Sequence, residues 1–231
     1  MTELLERRVE IAAIEAALAA AVHGHGQLVM IEAEAGAGKS SLVGLAADSA
    51  LARKMLVFTA RGGEHEREFA YAVIRQLFES WLAERSDDGN QLTGAAALAA
   101  PVFDVSSERV GADRLAIQHG LYWLTADVAA ERPLALLVDD AHWADPASLG
   151  ALLYIARRLD GLPVALVAAA RTGEPDARDE LLDGLCREPG AQLLTLASLS
   201  VQASVELGRR ELGAGASERF LGACHAAAAG C

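Results

Sequence analysis

Positive charge is scarce in this sequence. It holds 20 lysine and arginine residues against 32 aspartate and glutamate residues, which gives a formal net charge of −12. Proteins grip nucleic acids and anionic membranes through clustered lysine and arginine, so we expect this chain to bind neither of them unaided. A nucleotide is a different ligand, because a loop of main-chain N–H groups and a single lysine can hold it.

Cysteine is scarce as well, and long apolar runs are missing. Cys186, Cys224 and Cys231 stand at no metal-ligand spacing, and their odd number gives no disulfide framework. A reducing cytoplasm is the simpler interpretation. No apolar run approaches the roughly 20 residues of a membrane span. The N-terminus, "MTELLERRVEI", lacks the basic and apolar regions of a signal peptide, so we expect no contact with a membrane.

The sequence does contain enough apolar residues for a sizeable core, since 52% of its 231 residues are hydrophobic. Five short apolar runs alternate with segments of helical periodicity. The runs are "QLVMIEA", "MLVFTA", "PLALLVDDA", "PVALVAAAR" and "AQLLTLA". Wholly apolar strands that alternate with amphipathic helices indicate an α/β fold with a parallel sheet covered on both faces.

The predicted helices cover residues 4–22, 39–47, 67–83, 114–130, 146–159, 180–186 and the chain after residue 200. The stretches "RSDDGN" and "GAAALAA", followed by Pro101, predict an irregular and partly mobile insertion at about residues 85–113. We therefore expect an N-terminal helix (1–25), a core (26–198) and the start of a further helical region (199–231).

Residues 33–40, "AEAGAGKS", follow the first predicted strand and open a helix. They match the phosphate-binding pattern G-x-x-x-x-G-K-[ST] except at Ala33, which is acceptable there if its φ angle is negative. Gly36 and Gly38 stand where the backbone must curl around a phosphate. Lys39 is expected to reach the β- and γ-phosphates, and the Ser40 hydroxyl to bind Mg²⁺.

The predicted nucleotide-binding residues are therefore the loop and the first helical positions, namely Ala33, Glu34, Ala35, Gly36, Ala37, Gly38, Lys39, Ser40 and Ser41. The alternative interpretation is a glycine-rich turn between a strand and a helix that binds nothing. Its position between those two elements, and a second motif downstream, favour nucleotide binding.

The second motif is the acidic end of the strand in "LALLVDDAHWAD". Two adjacent carboxylates at the end of a buried strand repel each other, and a metal ion resolves this. Asp139 is expected to hold Mg²⁺ opposite Ser40, and Asp140 to orient or polarise the attacking water. Lys39 and Asp140 are the predicted catalytic residues. A solvated turn after a strand is the alternative.

Other residues near this motif have structural explanations. Asp145 is expected to cap the next helix, with Pro146 in its first turn. His142 is expected to orient the loop near the metal, and Trp143 to pack.

Arg171 ends the fourth strand, where ligands of open parallel sheets bind. It could contact the γ-phosphate through charge-assisted hydrogen bonds, or it could be a solvated loop arginine, and both interpretations stay open. Arg157 and Arg158 could act on a neighbouring subunit, although a surface helix face explains them more simply.

Rival chemistries lack their residue patterns. The sequence contains no N-K-x-D-like guanine-reading segment, which favours ATP and ADP with Mg²⁺ as ligands. It also contains no nucleophilic Ser/His/Asp order, zinc spacing or dinucleotide glycine pattern.

The motifs together resemble a known family. "LLERRVEIAAIEAAL", "EAEAGAGKSSL", "ARGGEHEREFAYAVIRQLF" and "DDAHWAD" resemble the AAA-like ATPase domain of large LuxR-type transcriptional regulators, in the STAND class. The resemblance implies a three-layer P-loop NTPase (ASCE-type) sheet of order 5-1-4-3-2. It also implies an ATP/ADP switch that controls self-association. Carried over position by position, the resemblance implies that Gly36, Gly38, Lys39 and Ser40 bind phosphate and Mg²⁺.

The same comparison of positions implies that Asp139 binds Mg²⁺ and that Asp140 acts on the attacking water. Two departures from the family pattern matter beside Ala33. Residues 4–8, "LLERR", lack the glycine that many relatives have, so they are left out of the predicted site. Relatives continue into a helical lid and a DNA-binding domain, whereas this sequence ends at Cys231 and is similar to a truncated product.

We therefore expect slow ATP hydrolysis at most, because Asp140 is one methylene shorter than the glutamate of many relatives and the lid is missing. The alternatives are a regulatory nucleotide-binding module without useful turnover and an interaction domain that binds no nucleotide. DNA binding is expected only of a C-terminal domain that these residues do not include.

Overall fold

A single parallel sheet forms the centre of the protein. The computed structural model describes residues 4–86, 92–104, 113–172, 180–213 and 216–228. The strands are β1 (Gln27–Ala33), β2 (Leu56–Arg61), β3 (Leu134–Asp139), β4 (Val164–Arg171) and β5 (Ala191–Thr195). They lie in the order β2-β3-β4-β1-β5, and every pairing is parallel. This confirms the predicted α/β class and the order 5-1-4-3-2.

Helices cover both faces of the sheet. Their bounds are α1 (Arg8–Val22), α2 (Lys39–Ala52), α3 (Ala72–Ser86), α4 (Ala100–Phe103), α5 (Arg114–Glu131), α6 (Pro146–Ala156), α7 (Glu180–Cys186), α8 (Val201–Leu212) and α9 (Glu218–Ala228). Short 3₁₀ turns occupy Glu64–Glu66, Gly94–Ala99 and Ala141–Trp143. In the part of the chain that the structure describes, every helix is too short or too polar to span a bilayer.

Two helices begin later than their periodicity predicts. Helix α1 begins at Arg8 and not at residue 4, because Glu6 adopts a left-handed backbone with φ 55°. Helix α3 begins at Ala72 and not at residue 67, because Tyr71 has φ 63°. A positive φ interrupts an α-helix, and neither glutamate nor tyrosine signals it in the sequence.

The core has two layers because successive side chains of a strand point to opposite faces. On β1, Leu28 and Met30 pack with helices α3, α5, α6 and α7, whereas Val29 and Ile31 pack with α1 and α2. Strands β3 and β4 are buried along almost their whole length, as central parallel strands are.

The described part of the expected insertion is not irregular. Residues 94–103 form the 3₁₀ turn and α4, and Ala96, Ala99 and Val102 are buried against the core. A Cβ atom at Gly120 of α5 would lie 2.4 Å from the Ala99 nitrogen, so this glycine permits the close contact. Residues 87–91 and 105–112 lie outside the described part of the chain, and the proposed domain division stays a prediction.

Asp145 is the residue that fastens α6 to α3. Its Oδ1 accepts hydrogen bonds from the main-chain nitrogen of Ser148 (2.8 Å) and from that of Tyr71 (2.7 Å). The first bond confirms the predicted cap, with Pro146 in the first turn. The second joins two segments 74 residues apart. The Asp145 side chain is 1% exposed, so both N–H groups depend on it.

We expect Asp145→Ala to lower the free energy of unfolding by about 1–3 kcal/mol, because it leaves two buried N–H groups without an acceptor. Urea unfolding followed by circular dichroism measures this change. Asp113→Ala is the matched control, since Asp113 caps α5 from an exposed position, and about 1 kcal/mol or less is expected there. Equal losses in the two variants would contradict the role of Asp145 in joining α6 to α3.

Candidate functional site

The glycine-rich stretch connects β1 to α2 at the carboxyl edge of the sheet. Residues 34–38 form this connection, which we call the glycine loop. Ala33 is the last residue of β1, lies opposite Arg171 of β4 and is buried. It is not among the described residues with positive φ, so alanine replaces the usual glycine here without strain.

The glycine loop has the backbone of an anion-binding nest. Gly36 and Gly38 both adopt positive φ angles, 80° and 93°. Gly38 is the N-cap of α2 and provides no side-chain cap. The first main-chain N–H groups of α2 therefore have no intrahelical acceptor, and they point toward the side from which an anion approaches. This backbone fits a phosphate group.

Lys39 lies back across the loop from which it emerges. Its Nζ donates to the main-chain oxygens of Ala33 (3.1 Å) and Glu34 (2.7 Å), and the residue is only 6% exposed. The ammonium is thereby held over the loop. Ser40 and Ser41 begin α2 from exposed positions, as do Glu34 and Ala35 in the loop, while Ala37 is buried.

The two adjacent carboxylates lie at the end of β3 but have different surroundings. Asp139 is half-buried and closes the strand. Asp140 has a left-handed backbone, φ 48° and ψ 42°, which aspartate tolerates better than most residues. Its N–H donates to Asp139 Oδ1 at 2.9 Å. The sequence therefore places both carboxylates correctly at the strand end, but Asp140 turns away from the strand direction.

Arg61 binds Asp140, which the sequence interpretation missed. Its Nε and Nη2 donate to Asp140 Oδ2 at 2.9 and 2.7 Å. The Asp140 side chain is 9% exposed and that of Arg61 is 70% exposed. The hydrogen bond and the charge of Asp140 raise the pKa of Arg61 above its ordinary value. The expected strand order offered a signal, because β2 lies beside β3 with Arg61 opposite Asp139.

Gly62 allows the end of β2 to approach the Asp140 turn. Its N–H donates to the Asp139 oxygen at 2.9 Å. A Cβ atom at Gly62 would lie 2.3 Å from the Asp140 oxygen and 2.9 Å from the Ala144 nitrogen. Those are backbone atoms, which cannot move aside cheaply, so only glycine fits this position.

The end of β4 joins the same edge. The main-chain nitrogen of Arg171 donates to His142 Nδ1 at 3.3 Å, and His142 is buried beside Trp143. His142 therefore links the turn after β3 to β4. Arg157 and Arg158 follow the far end of α6 and lie in a different place, where Arg157 pairs with Glu188.

The segment before α1 also contacts the glycine loop, although the sequence analysis left it out. Arg7 is buried, and its Nη2 donates to the main-chain oxygens of Ala37 (3.1 Å) and Ala197 (2.7 Å). Glu6 accepts two hydrogen bonds from Ser200, which lower the pKa of its carboxyl group. No local pattern predicted this contact, because Arg7 meets residues 30 and 190 positions away along the chain.

A small apolar cavity adjoins the loop. Its volume is about 190 Å³, and its lining comprises Leu4, Leu5, Arg7, Leu199, Leu207, Ser41 and residues 36–38. Leucine side chains with a phosphate-type loop at one end suit a flat apolar group that carries phosphates. In the described part of the chain, no three His, Cys, Asp or Glu side chains cluster as metal ligands. The Ser40 hydroxyl and the Asp139 carboxylate carry oxygen donors of the kind that Mg²⁺ prefers.

A parallel sheet of this order, with a glycine loop between β1 and a helix, defines the P-loop NTPase fold. The sequence model of the AAA ATPase domain matches residues 3–167. The chain therefore belongs to the AAA ATPase domain family. No curated protein matches the chain significantly.

Solved structures agree with this fold. A chain of the E. coli MS115-1 HORMA:CdnC:Trip13 complex matches with a TM-score of 0.58 and 14% identity, over 96% of this chain and 73% of that one. The Aeropyrum pernix ORC2 protein, solved in ADPNP-ADP complexes, matches with a TM-score of 0.55 and 18% identity. The match covers 94% of this chain and 56% of that one. A Pyrococcus horikoshii STAND protein with a tetratricopeptide repeat sensor matches with a TM-score of 0.53 and 18% identity. The match covers 100% of this chain and 28% of that one. The chain thus spans about half of the second relative and about a quarter of the third.

We expect Gly62→Ala to lower the free energy of unfolding by about 1–3 kcal/mol, because its Cβ overlaps backbone atoms of the Asp140 turn. Chemical denaturation measures this. Gly44→Ala is the matched control, since a Cβ atom at Gly44 in α2 meets no atom within 4 Å, and alanine is expected to stabilise that helix by about 0.5–1 kcal/mol. A neutral Gly62→Ala would contradict the close approach of β2.

Proposed function

We propose that this chain is an ATP-binding and slowly ATP-hydrolysing switch module of a signal-transduction or transcriptional regulator. The observation that carries the proposal is the glycine loop with Gly36 and Gly38 in left-handed conformations and Lys39 held over it. Family membership and the STAND relative support it. Two structures with this fold contain nucleotide analogues, namely the Aeropyrum pernix ORC2 protein with ADPNP and the DnaA protein of Aquifex aeolicus with AMPPCP.

In this proposal the loop N–H groups and Lys39 bind the phosphates, and Ser40 and Asp139 hold Mg²⁺. When bound, the metal would neutralise charge on the phosphates. Arg171 lies at the same edge, opposite Ala33, where a γ-phosphate contact is feasible. The apolar cavity beside Arg7 takes the base, and adenine is proposed because the sequence contains no N-K-x-D-like guanine-reading segment.

Asp140 is proposed to orient or polarise the attacking water. Arg61 donates to Oδ2 of its carboxylate through both Nε and Nη2, which fixes the orientation of the group. The short side chain and its attachment to Arg61 both support slow turnover.

The regulatory part of the proposal rests on the resemblance to LuxR-type STAND regulators. Nucleotide-dependent self-association in the cytoplasm is the expected output, and no DNA contact is proposed for these residues. The alternative is a nucleotide-binding regulatory or interaction domain without useful turnover. Phosphate release from the ATP-bound protein separates the two, since only the first releases phosphate.

We expect Lys39→Ala to weaken binding of Mg·ATP by about 30-fold or more, because a charge-assisted contact worth about 2–3 kcal/mol is lost. Equilibrium binding of a fluorescent ATP analogue measures it. Lys54→Ala is the matched control, because Lys54 is the other lysine of the chain and lies after α2. Unchanged affinity in Lys39→Ala would refute the assignment of the loop.

We expect Asp140→Asn to leave the affinity for ATP nearly unchanged and to slow the hydrolysis step by about 100-fold, since a side chain positioned to polarise the attacking water typically contributes this much or more. Phosphate release under single-turnover conditions measures the rate of that step. Asp127→Asn, at an exposed position of α5, is the control. Equal turnover in the two variants would remove Asp140 from the mechanism.

A further inference from the structure

A shallow groove runs between α5, α6 and the beginning of α7, away from the nucleotide site. Its volume is about 470 Å³. Arginines line both ends, with Arg114 at the start of α5 and Arg157 and Arg158 after α6. Leucines and Tyr154 line its middle. We call it the arginine groove.

Gly150 of α6 makes the groove possible. A Cβ atom there would lie 2.8 Å from Gln118 Nε2 and 2.9 Å from Arg114 Nη2. The side chains of α5 therefore lie across α6 at this position. Arg114 is held there by a hydrogen bond from its Nη2 to the Pro146 oxygen (2.6 Å).

Hydrogen bonds hold the wall of the groove in place. Trp123 Nε1 donates to His119 Nε2 at 3.0 Å, so His119 Nδ1 carries the proton and donates to the Tyr154 hydroxyl at 3.2 Å. Arg158 lies over the Tyr154 ring, 3.6 Å from its centroid, and donates to the Tyr154 oxygen. The side chains of this wall are therefore already ordered in the free protein, so little conformational entropy would be lost when a ligand binds.

The groove has a charge opposite to that of the whole chain. Among the described residues, no carboxylate lines it, and neither Arg114 nor Arg158 forms an ion pair with one. Arg157 alone is paired, with Glu188. A chain with a net charge of −12 has many carboxylates that could neutralise these arginines, so their exposure favours an acidic ligand.

The apolar part of the groove decides between two kinds of acidic partner. Leu115 is 64% exposed beside Arg114, and Leu153 and Leu181 line the same space. A single-stranded nucleic acid would need exposed aromatic faces for base stacking, but the Tyr154 face is covered by Arg158. The net negative charge also repels a long polyanion.

We propose that the arginine groove binds a short amphipathic segment of a partner protein that carries leucine-like side chains beside glutamate or aspartate. Its leucines would cover Leu115, which is 64% exposed, and its carboxylates would pair with Arg114 and Arg158. Recognition of this kind joins apolar anchors in a groove to charge pairs at the rim. It is independent of the proposed nucleotide site, because the groove shares no lining residue with the loop cavity.

Fluorescence anisotropy of a labelled peptide tests this. The probe has about 14 residues with leucine at helical i, i+3, i+4 and i+7 spacing and glutamate between them. We expect Arg114→Glu and Arg158→Glu each to weaken its binding by about tenfold. Arg132→Glu carries the same change of charge at an exposed position outside the groove, and a change of about twofold or less is expected there.

A further variant and two further probes make the test specific. Leu115→Ser is expected to weaken binding of the peptide several-fold. It should not unfold the protein, because the Leu115 side chain is already exposed. The same peptide with lysine in place of glutamate should not bind. Thermal unfolding and ATP binding of each variant confirm that the fold and the loop are intact.

Three results would overturn the proposal. The first is no binding of the glutamate peptide at about 100 µM, or equal binding by the arginine variants and Arg132→Glu. The second is tighter binding of a single-stranded oligothymidylate than of the peptide. The third is self-association of the protein, measured by sedimentation velocity, that Arg114→Glu abolishes and the peptide does not inhibit, which would make the occupant a second copy of the chain.

Discussion

The candidate site depends on the parallel alignment of β1, β3 and β4. In a parallel sheet all carboxyl ends lie at one edge, so residues that follow different strands meet there whatever their separation in sequence. Ala33 lies opposite Arg171, and Val138, the neighbour of Asp139, lies opposite Ala168. This single register brings the glycine loop, the acidic turn and the arginine of β4 to the same edge. Apolar strands buried on both faces hold that register, because a shift would leave their side chains unpacked.

The edge strand β2 adds a second constraint to this site. It brings Arg61 to the Asp140 carboxylate, and Gly62 lets the backbone pass within contact of the acidic turn. Asp140 is therefore bound from the side opposite to the glycine loop, and its left-handed backbone is fixed by neighbours. The Asp140 carboxylate is therefore held in one orientation by a contact within the protein itself.

Cationic side chains have structural roles in two other places on an acidic chain. Arg7 joins the glycine loop to the segment that precedes α8, through main-chain oxygens of Ala37 and Ala197. Arg114 and Arg158 remain at the surface of α5 and α6, where tyrosine and main-chain oxygens hold them. In both cases the guanidinium donates to main-chain oxygens, for which its several fixed N–H groups are suited.

The sequence by itself determined the five strands, the glycine loop, the acidic strand end and the Asp145 cap. Each of these depends on periodicity or on residues a few positions apart, and strand periodicity with cap chemistry is local. Only the tertiary structure decided the late start of α3, the pairing of Arg61 with Asp140, and the contact of Arg7 with residues 30 and 190 positions away. These features arise where distant segments pack together, and no local pattern of residues specifies which segments will meet.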